Sequence, residues 1–144
     1  MNFSITCYSS EKSFSPDMPH FFILSHGYNA GKPLKKCCPN CFVLQTSSES
    51  AKKILFWIVY CHWKAGHFIP LQVGSVVPVL HVNDVRNLIN TAGAGSENKK
   101  FACAVSRLGD LSKLERLLQL QLRFIARTKT AIAKKAIADM LRKS

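Results

Sequence analysis

Residues 74–84 read Gly-Ser-Val-Val-Pro-Val-Leu-His-Val-Asn-Asp, and this stretch decides how the chain is divided. Its valines and leucine predict a short buried strand pair, which is broken at Pro78 because proline cannot donate a ladder hydrogen bond. Asp84 is a typical helix N-cap, so we expect a short helix from there through Ile89. The small residues 92–96 then indicate a linker. The stretch therefore marks the passage from a mixed body to a helical arm.

The body, residues 1–95, is predicted to be α+β, a small mixed sheet with a buried central helix. Short apolar runs at 21–24 and 42–44 predict two buried strands. Small polar residues then cap a helix over 51–65, and Gly66 ends it. The apolar positions of this helix leave little polar surface, so we expect most of it to be buried.

The arm, residues 96–144, is predicted to be one long basic helix, with a bent helix and a helical hairpin as the alternatives. Asp110 is a good N-cap, and neither Gly nor Pro occurs after it. Leucines and isoleucines recur at steps of three, four and seven residues, which is typical of a core stripe or a coiled-coil seam. A helix of 30 residues is about 45 Å long, longer than so small a body is wide. The far half therefore needs a partner, another helix of the chain, or a bend at 127–130.

The composition excludes several classes of protein. A chain of 144 residues with 47% hydrophobic residues is expected to fold around a core. The first 15 residues lack the pattern of a signal peptide, and no run approaches the roughly 20 apolar residues of a membrane span. We therefore expect a cytoplasmic protein without a membrane partner. In that reducing compartment the six cysteines are expected to be thiols or metal ligands rather than disulfides.

The charge of the chain favours a polyanionic partner. Twenty Lys and Arg face eight Asp and Glu, which gives a net charge of +12. Residues 110–144 carry nine of these cations against three carboxylates, so half of the excess lies in the last quarter of the chain. Nucleic acid is the first partner such an excess suggests, and an anionic membrane surface is the second. A generally basic protein without a nucleic-acid role is the alternative.

A basic loop follows the first predicted strand. Residues 26–33, His-Gly-Tyr-Asn-Ala-Gly-Lys-Pro, contain a Gly-x-x-x-Gly-Lys fragment. A nucleotide-binding loop needs one more residue between its glycines and a Ser or Thr after the lysine, where Pro33 stands, so we reject that function. The loop is still rich in backbone donors and positive charge, which suits contacts to nucleic-acid phosphates. A solvated basic turn is the alternative.

The candidate nucleic-acid-binding residues are cations of this loop and of the arm. Those of the loop are Lys32, Lys35 and Lys36, and those of the arm are Arg123, Arg127, Lys134 and Lys135. Aromatic side chains also stack on bases. Trp57, Tyr60 and Trp63 lie on so apolar a helix, however, that we expect them to be core. No residue is assigned to base recognition.

The cysteines and histidines give weaker patterns. Cys38 and Cys41 are spaced as half of a zinc site, and the other ligands would have to come from Cys61, His62 and His67. The alternative is a Pro39–Asn40 turn with small buried thiols around it. A nucleophile would pair Cys41 or Cys61 with one of the histidines at 26, 62 and 67. Since the few carboxylates form no acid–base pair, we predict no catalytic site, no metal and no cofactor.

Two resemblances add to this interpretation. The run 21–43, with Gly-Tyr-Asn-Ala-Gly-Lys-Pro-Leu at 27–34 and Pro-Asn-Cys-Phe-Val at 39–43, resembles a family of short uncharacterised bacterial proteins. This likeness covers about residues 20–90 and implies no activity. More distantly, residues 40–44 and 74–80, then Asn-Asp-Val at 83–85 and a long helix, are similar to the last part of a target-recognition domain of type I restriction-modification specificity subunits. That resemblance implies a body that faces DNA and a helical spacer or assembly arm.

We therefore predict a non-catalytic nucleic-acid-binding protein, with DNA rather than RNA as the partner. The alternative is a protein–protein adaptor module that uses the carboxy-terminal helix. In either case residues 111–141 are candidates for pairing with a second copy or with a partner's helix.

Overall fold

A computed structural model describes residues 2–8, 15–93 and 99–142. The chain forms two compact units, residues 1–98 and 99–144. The first is an α+β body and the second consists of one helix, which confirms the predicted fold class. The expected boundary between residues 95 and 96 lies outside the described residues.

A four-stranded sheet forms the base of the first unit. The strands lie in the order β1-β4-β2-β3, and their bounds are Phe3–Cys7 (β1), His20–Leu24 (β2), Pro33–Leu34 (β3) and Cys41–Thr46 (β4). Every pairing among these described strands is antiparallel, whereas we expected a mixed sheet. Parallel pairing needs a crossover connection, and the first helix comes only after the last strand. β1 was not predicted at all.

The first helix, α1, spans Glu49–Lys64 and confirms the predicted central helix. The Ser48 hydroxyl accepts a hydrogen bond from the Ala51 N–H at 3.2 Å, which satisfies one of the free donors of the first turn. At the other end Gly66 has a φ of 76°, and the His67 N–H donates to the His62 carbonyl at 3.0 Å. This Schellman arrangement ends the helix and brings the side chains at 62 and 67 together.

The core lies between one face of the sheet and the helices α1 and α2, the latter spanning Val82–Gly93. Alternation along β4 sends Phe42 and Leu44 into this core and Cys41 and Val43 to the other face. The fully buried side chains include representatives of every layer: Ile5, Ile23, Leu44, Leu55, Val59, Phe68, Val85 and Ile89. A short 3₁₀ turn at Ile69–Leu71 follows Phe68.

The stretch 74–84 differs from its prediction. Val76 is 83% exposed and lies in a turn after Gly74, so the first half of the predicted strand pair is not buried. Only isolated bridges form, in which Val79 pairs with Val73 and His26. Asp84 is not the N-cap, because α2 begins two residues earlier. It lies in the first turn, where a carboxylate favours the positive end of the helix.

The second unit is a single helix, α3, over Lys99–Arg142. It is continuous through 127–130, so the chain does not turn back there into the helical hairpin that was one of the alternatives. The Thr128 and Thr130 hydroxyls donate to the carbonyls four residues back and stay within the helical pattern. Asp110 is not its cap but a residue of its interior, where it accepts a hydrogen bond from Lys113 at 3.1 Å. None of the described helices combines the length and apolarity needed to cross a bilayer.

Candidate nucleic-acid interface

Four aromatic rings form a row along the outer side of α1, because they recur at steps of one, three and three residues. We call Phe56, Trp57, Tyr60 and Trp63 the aromatic row. Consecutive ring centroids lie 6.1, 5.2 and 5.9 Å apart. All four side chains are half-buried. Trp63 packs against the core as expected, and Phe56 does so too. The row nevertheless keeps an accessible edge that full burial would have removed.

Two lysines lie on this row. The Lys32 ammonium is 5.3 Å from the centroid of the Trp63 ring, and the Lys64 ammonium is 4.8 Å from the same ring and 5.9 Å from Tyr60. Attraction between a cation and a ring face holds such groups together. The fold therefore brings Lys32, from the loop before β3, beside aromatic side chains more than 20 positions away in sequence. Mixed cationic and aromatic surfaces of this kind bind the backbone and bases of nucleic acids.

A groove continues the aromatic row toward the start of α1. Its volume is about 460 Å³, and it is lined by His20, Phe21, Lys35, Glu49, Lys52, Lys53, Phe56 and Trp57. Lys35 was predicted from sequence, whereas Lys52 and Lys53 were missed because they were assigned to a buried helix. The Lys52 ammonium is 2.7 Å from the Glu49 carboxylate, so part of its charge is neutralised. Lys36 is exposed just after β3.

The cations of α3 are concentrated on one side of that helix. At 3.6 residues per turn, Arg116, Arg123, Arg127 and Lys134 lie within about 40° of one another around the axis. We call these four the basic stripe. All are exposed. Lys135, which was also predicted, lies about a quarter turn away. Arg116 was not among the predicted residues, because its alignment with the other three cations appears only around the helix axis.

The histidines at the end of α1 form a pair. The Nδ1 atoms of His62 and His67 are 2.8 Å apart, so one ring donates a proton that the other accepts. Burial, and then the neighbouring His67, lower the pKa of His62. The Schellman ending of α1 is the cause of this contact, since it places these two positions side by side.

The two candidate nucleophiles, Cys41 and Cys61, lack the environment of a reactive thiol. Burial raises the pKa of Cys61 and, more than any other influence, that of Cys41. A reactive thiol needs the opposite shift. The Cys41 thiol also donates to the Cys38 carbonyl at 3.0 Å within the turn at Pro39–Asn40. In the described parts of the chain, no three His, Cys, Asp or Glu side chains are gathered as metal ligands.

The body and the helix thus define an α+β protein whose cations gather on two surfaces, one of them interleaved with aromatic rings. The chain belongs to a family of unknown function (DUF6943), which it matches over residues 5–135. The predicted membership of an uncharacterised family is therefore confirmed, over a longer part of the chain than expected. No curated protein matches the chain, and neither does any solved structure.

Proposed function

We propose that this protein binds DNA without catalysing a reaction. The basic stripe of α3 is the observation that carries this proposal. Its four cations follow one another at steps of seven, four and seven residues, or about 10, 6 and 10 Å along the helix axis. A row of guanidinium and ammonium groups suits the phosphate backbone, which supplies most of the affinity of nucleic-acid-binding proteins.

The body supplies the second contact surface. Lys32, Lys35 and Lys36 contact phosphates, and the aromatic row beside Lys32 offers rings on which unpaired bases stack. Arginine makes bidentate, planar contacts to phosphate that lysine cannot make. We therefore propose that the arginines of α3 mainly fix the orientation of the protein on the duplex. No side chain is assigned to a particular base.

The shape of the major groove favours duplex DNA over duplex RNA as the partner. An α-helix with its side chains is about 10–12 Å wide, which fits the major groove of B-DNA of about 12 Å. The major groove of an RNA duplex is too deep and narrow for side chains to read. DNA is also the partner that a resemblance implies, since residues 40–44, 74–80 and 83–85 are similar to DNA-specificity subunits of restriction-modification systems. We propose a cytoplasmic location for the protein.

The chemistry of the body supports a binding role rather than catalysis. The thiols of Cys41 and Cys61 are shifted toward the protonated form by burial. The Ser25 hydroxyl lies 2.8 Å from the His26 ring, but Ser25 is only 3% exposed and its oxygen is closed to a substrate.

Binding is tested by fluorescence anisotropy of labelled duplex DNA, duplex RNA and single strands, with salt as the variable. Each lost phosphate contact reduces the slope of log K against log salt by about 1. The variant Arg123→Ala/Arg127→Ala is therefore expected to reduce the slope for duplex DNA by about 2. Arg107→Ala is the matched control, since Arg107 is exposed on the opposite side of the same helix. An equal effect of the control, or no duplex preference at physiological salt, would contradict the proposal.

A protein–protein adaptor is the second candidate function. The observation in its favour is the large set of apolar side chains that α3 exposes, most of them on the side away from the basic stripe. Exposed apolar surface of that extent is typical of an interaction site. Under this alternative the positive charge keeps the assembly soluble or matches an acidic partner.

A further inference from the structure

Part of the apolar surface of α3 forms a continuous band along the helix. Its large apolar side chains between Leu111 and Leu141 are each at least half exposed. At 3.6 residues per turn, one set of them falls within a band of about 80° that lies on the far side of the helix from the basic stripe. This apolar stripe consists of Leu111, Leu114, Leu118, Leu122, Ile125, Ile132, Ala136 and Met140. A band of this width suits the seam of a helix pair. The other exposed apolar side chains of this stretch lie outside the band: Leu117, Leu120, Phe124, Ile137 and Leu141.

One cation interrupts the seam and restricts what can cover it. Lys129 falls within the band, between Ile125 and Ile132. A single polar residue at such a position selects the register and orientation of a helix pair. In a parallel pair in register, two Lys129 ammonium groups would meet at the seam, where like charges repel. A partner that brings a carboxylate to this point avoids that repulsion and gains an ion pair.

We propose that α3 pairs antiparallel with α3 of a second copy of this chain, through the apolar stripe and centred on Leu122. In this register Leu122 lies opposite the second copy's Leu122. Ile125 and Ile132 each lie within one residue of the position opposite Leu118 and Leu111, respectively. The seam is therefore apolar in each of these layers. The same register places Leu114 and the adjoining Glu115 opposite Lys129, so the lysine stem packs on leucine while its ammonium reaches the carboxylate.

The charges beside the seam fit this register. Glu115 lies on the same flank of the stripe as Lys129, and Asp110 lies on the other flank together with Lys135. In an antiparallel pair the same flanks of the two helices face each other. Glu115 therefore faces Lys129 and Asp110 faces Lys135, each twice because of the two-fold symmetry. A shift by one heptad keeps the seam apolar but places Ala136 opposite Glu115 and Leu122 opposite Lys129, so the charges decide the register.

The inference rests on α3 being an interaction surface, as in the adaptor function, and is independent of DNA binding. Both basic stripes lie on the outer sides of the pair and stay accessible. Charge reversal on the seam and charge reversal on the basic stripe therefore have separate readouts.

The test is a charge swap in the full chain, with the molar mass measured by light scattering over a range of concentrations. The unchanged protein is expected to be dimeric. Glu115→Lys places lysine opposite Lys129, and Lys129→Glu places carboxylate opposite Glu115, so each is expected to raise the dimer dissociation constant at least about tenfold. The double variant Glu115→Lys/Lys129→Glu restores the pairs and is expected to regain the original dissociation constant.

Arg123→Glu is the matched control, because it reverses a charge of the same helix on the basic stripe. It should leave the dimer unchanged and weaken DNA binding, which separates a failure of this inference from a failure of the proposed function. Helix content by circular dichroism checks that each variant folds. Three results would each overturn the antiparallel pair. The unchanged protein could stay monomeric, the double variant could fail to regain the original dissociation constant, or the monomer could bind anionic vesicles through the apolar stripe.

Discussion

Gly31 shows how one residue can be required for packing in a sequence that suggests a different role. Its φ of 93° is in the region that side chains other than glycine rarely adopt, and a Cβ there would run into the ring of Phe68. The fragment around it looks like part of a phosphate loop, but its second glycine serves the close approach of an aromatic core residue. Sequence alone could not show this, because Phe68 is 37 positions away.

Substituting Gly31 is therefore expected to be costly. Gly31→Ala combines an unfavourable backbone conformation with a clash against a fully buried ring, and should lower the free energy of unfolding by about 2–4 kcal/mol. Gly27→Ala is the matched control. Gly27 has a φ of 84° but nothing within 4 Å of its added Cβ, so only the backbone cost of about 1 kcal/mol is expected. Urea titration followed by tryptophan fluorescence measures both, and equal losses would show that the Phe68 contact is not limiting.

The His62–His67 pair should make stability depend on pH. Burial and then His67 lower the pKa of His62 below its ordinary value of 6.5. As the pH falls, the unfolded chain therefore protonates His62 before the folded protein does. The stability that the folded protein gains from neutral His62 is present above about pH 6.5, and it is lost as the pH falls through the lower, folded-state pKa. We expect the Tm to fall between pH 7 and 5, and to fall less in His62→Asn.

The exposed His81 supplies the control for this pH effect. His81→Asn should retain the pH dependence of the unchanged protein, measured as the difference in Tm between the two pH values. If His62→Asn retained it as well, the dependence would have to arise elsewhere in the chain.

Among the helices and strands, those with local signals at both ends were predictable. α1 has Ser48 before it and Gly66 after it, and β2 and β4 are apolar runs between turn residues. Aspartates misled the interpretation of α2 and α3, since Asp84 and Asp110 are good caps but lie inside helices that begin earlier. β1, Phe-Ser-Ile-Thr-Cys, alternates apolar and polar residues as a strand does, but this short pattern was overlooked. Its pairing partner, β4, lies about 40 positions later.

The cap of α1 gives a test at this scale. Ser48→Ala removes the side-chain acceptor of the Ala51 N–H and is expected to lower the free energy of unfolding by about 1 kcal/mol. Ser47→Ala changes the same residue type one position earlier, at an exposed site before the cap, and should be within about 0.5 kcal/mol of the unchanged protein. Thermal or urea unfolding of the two variants measures the difference, and equal stabilities would remove Ser48 as the capping residue.

For the whole molecule, the candidate site was only partly readable from sequence. Counting charges locates the loop lysines and the cations near the end of α3, since both are local clusters. Three features can be recognised only from the folded structure or from the positions around the helix axis. They are the contact of Lys32 with Trp63, the groove shared by Lys35 and Trp57, and the alignment of Arg116 with the other cations of the basic stripe. The aromatic row was expected in the core because its helix is apolar, whereas the helix buries only one side.

The proposed DNA binding predicts that each unit contributes phosphate contacts and that these contributions to the salt slope add. If about six phosphates are neutralised, the salt slope of the unchanged protein is about −5. Lys32→Ala/Lys35→Ala/Lys36→Ala should reduce its magnitude by about 3, Arg123→Ala/Arg127→Ala by about 2, and the combined variant by the sum. Because Lys32 also lies on Trp63, urea titration must show that the triple variant stays folded at the assay temperature. A triple variant with the original slope would confine DNA binding to α3, whereas an unchanged slope in the arginine variant would confine it to the body.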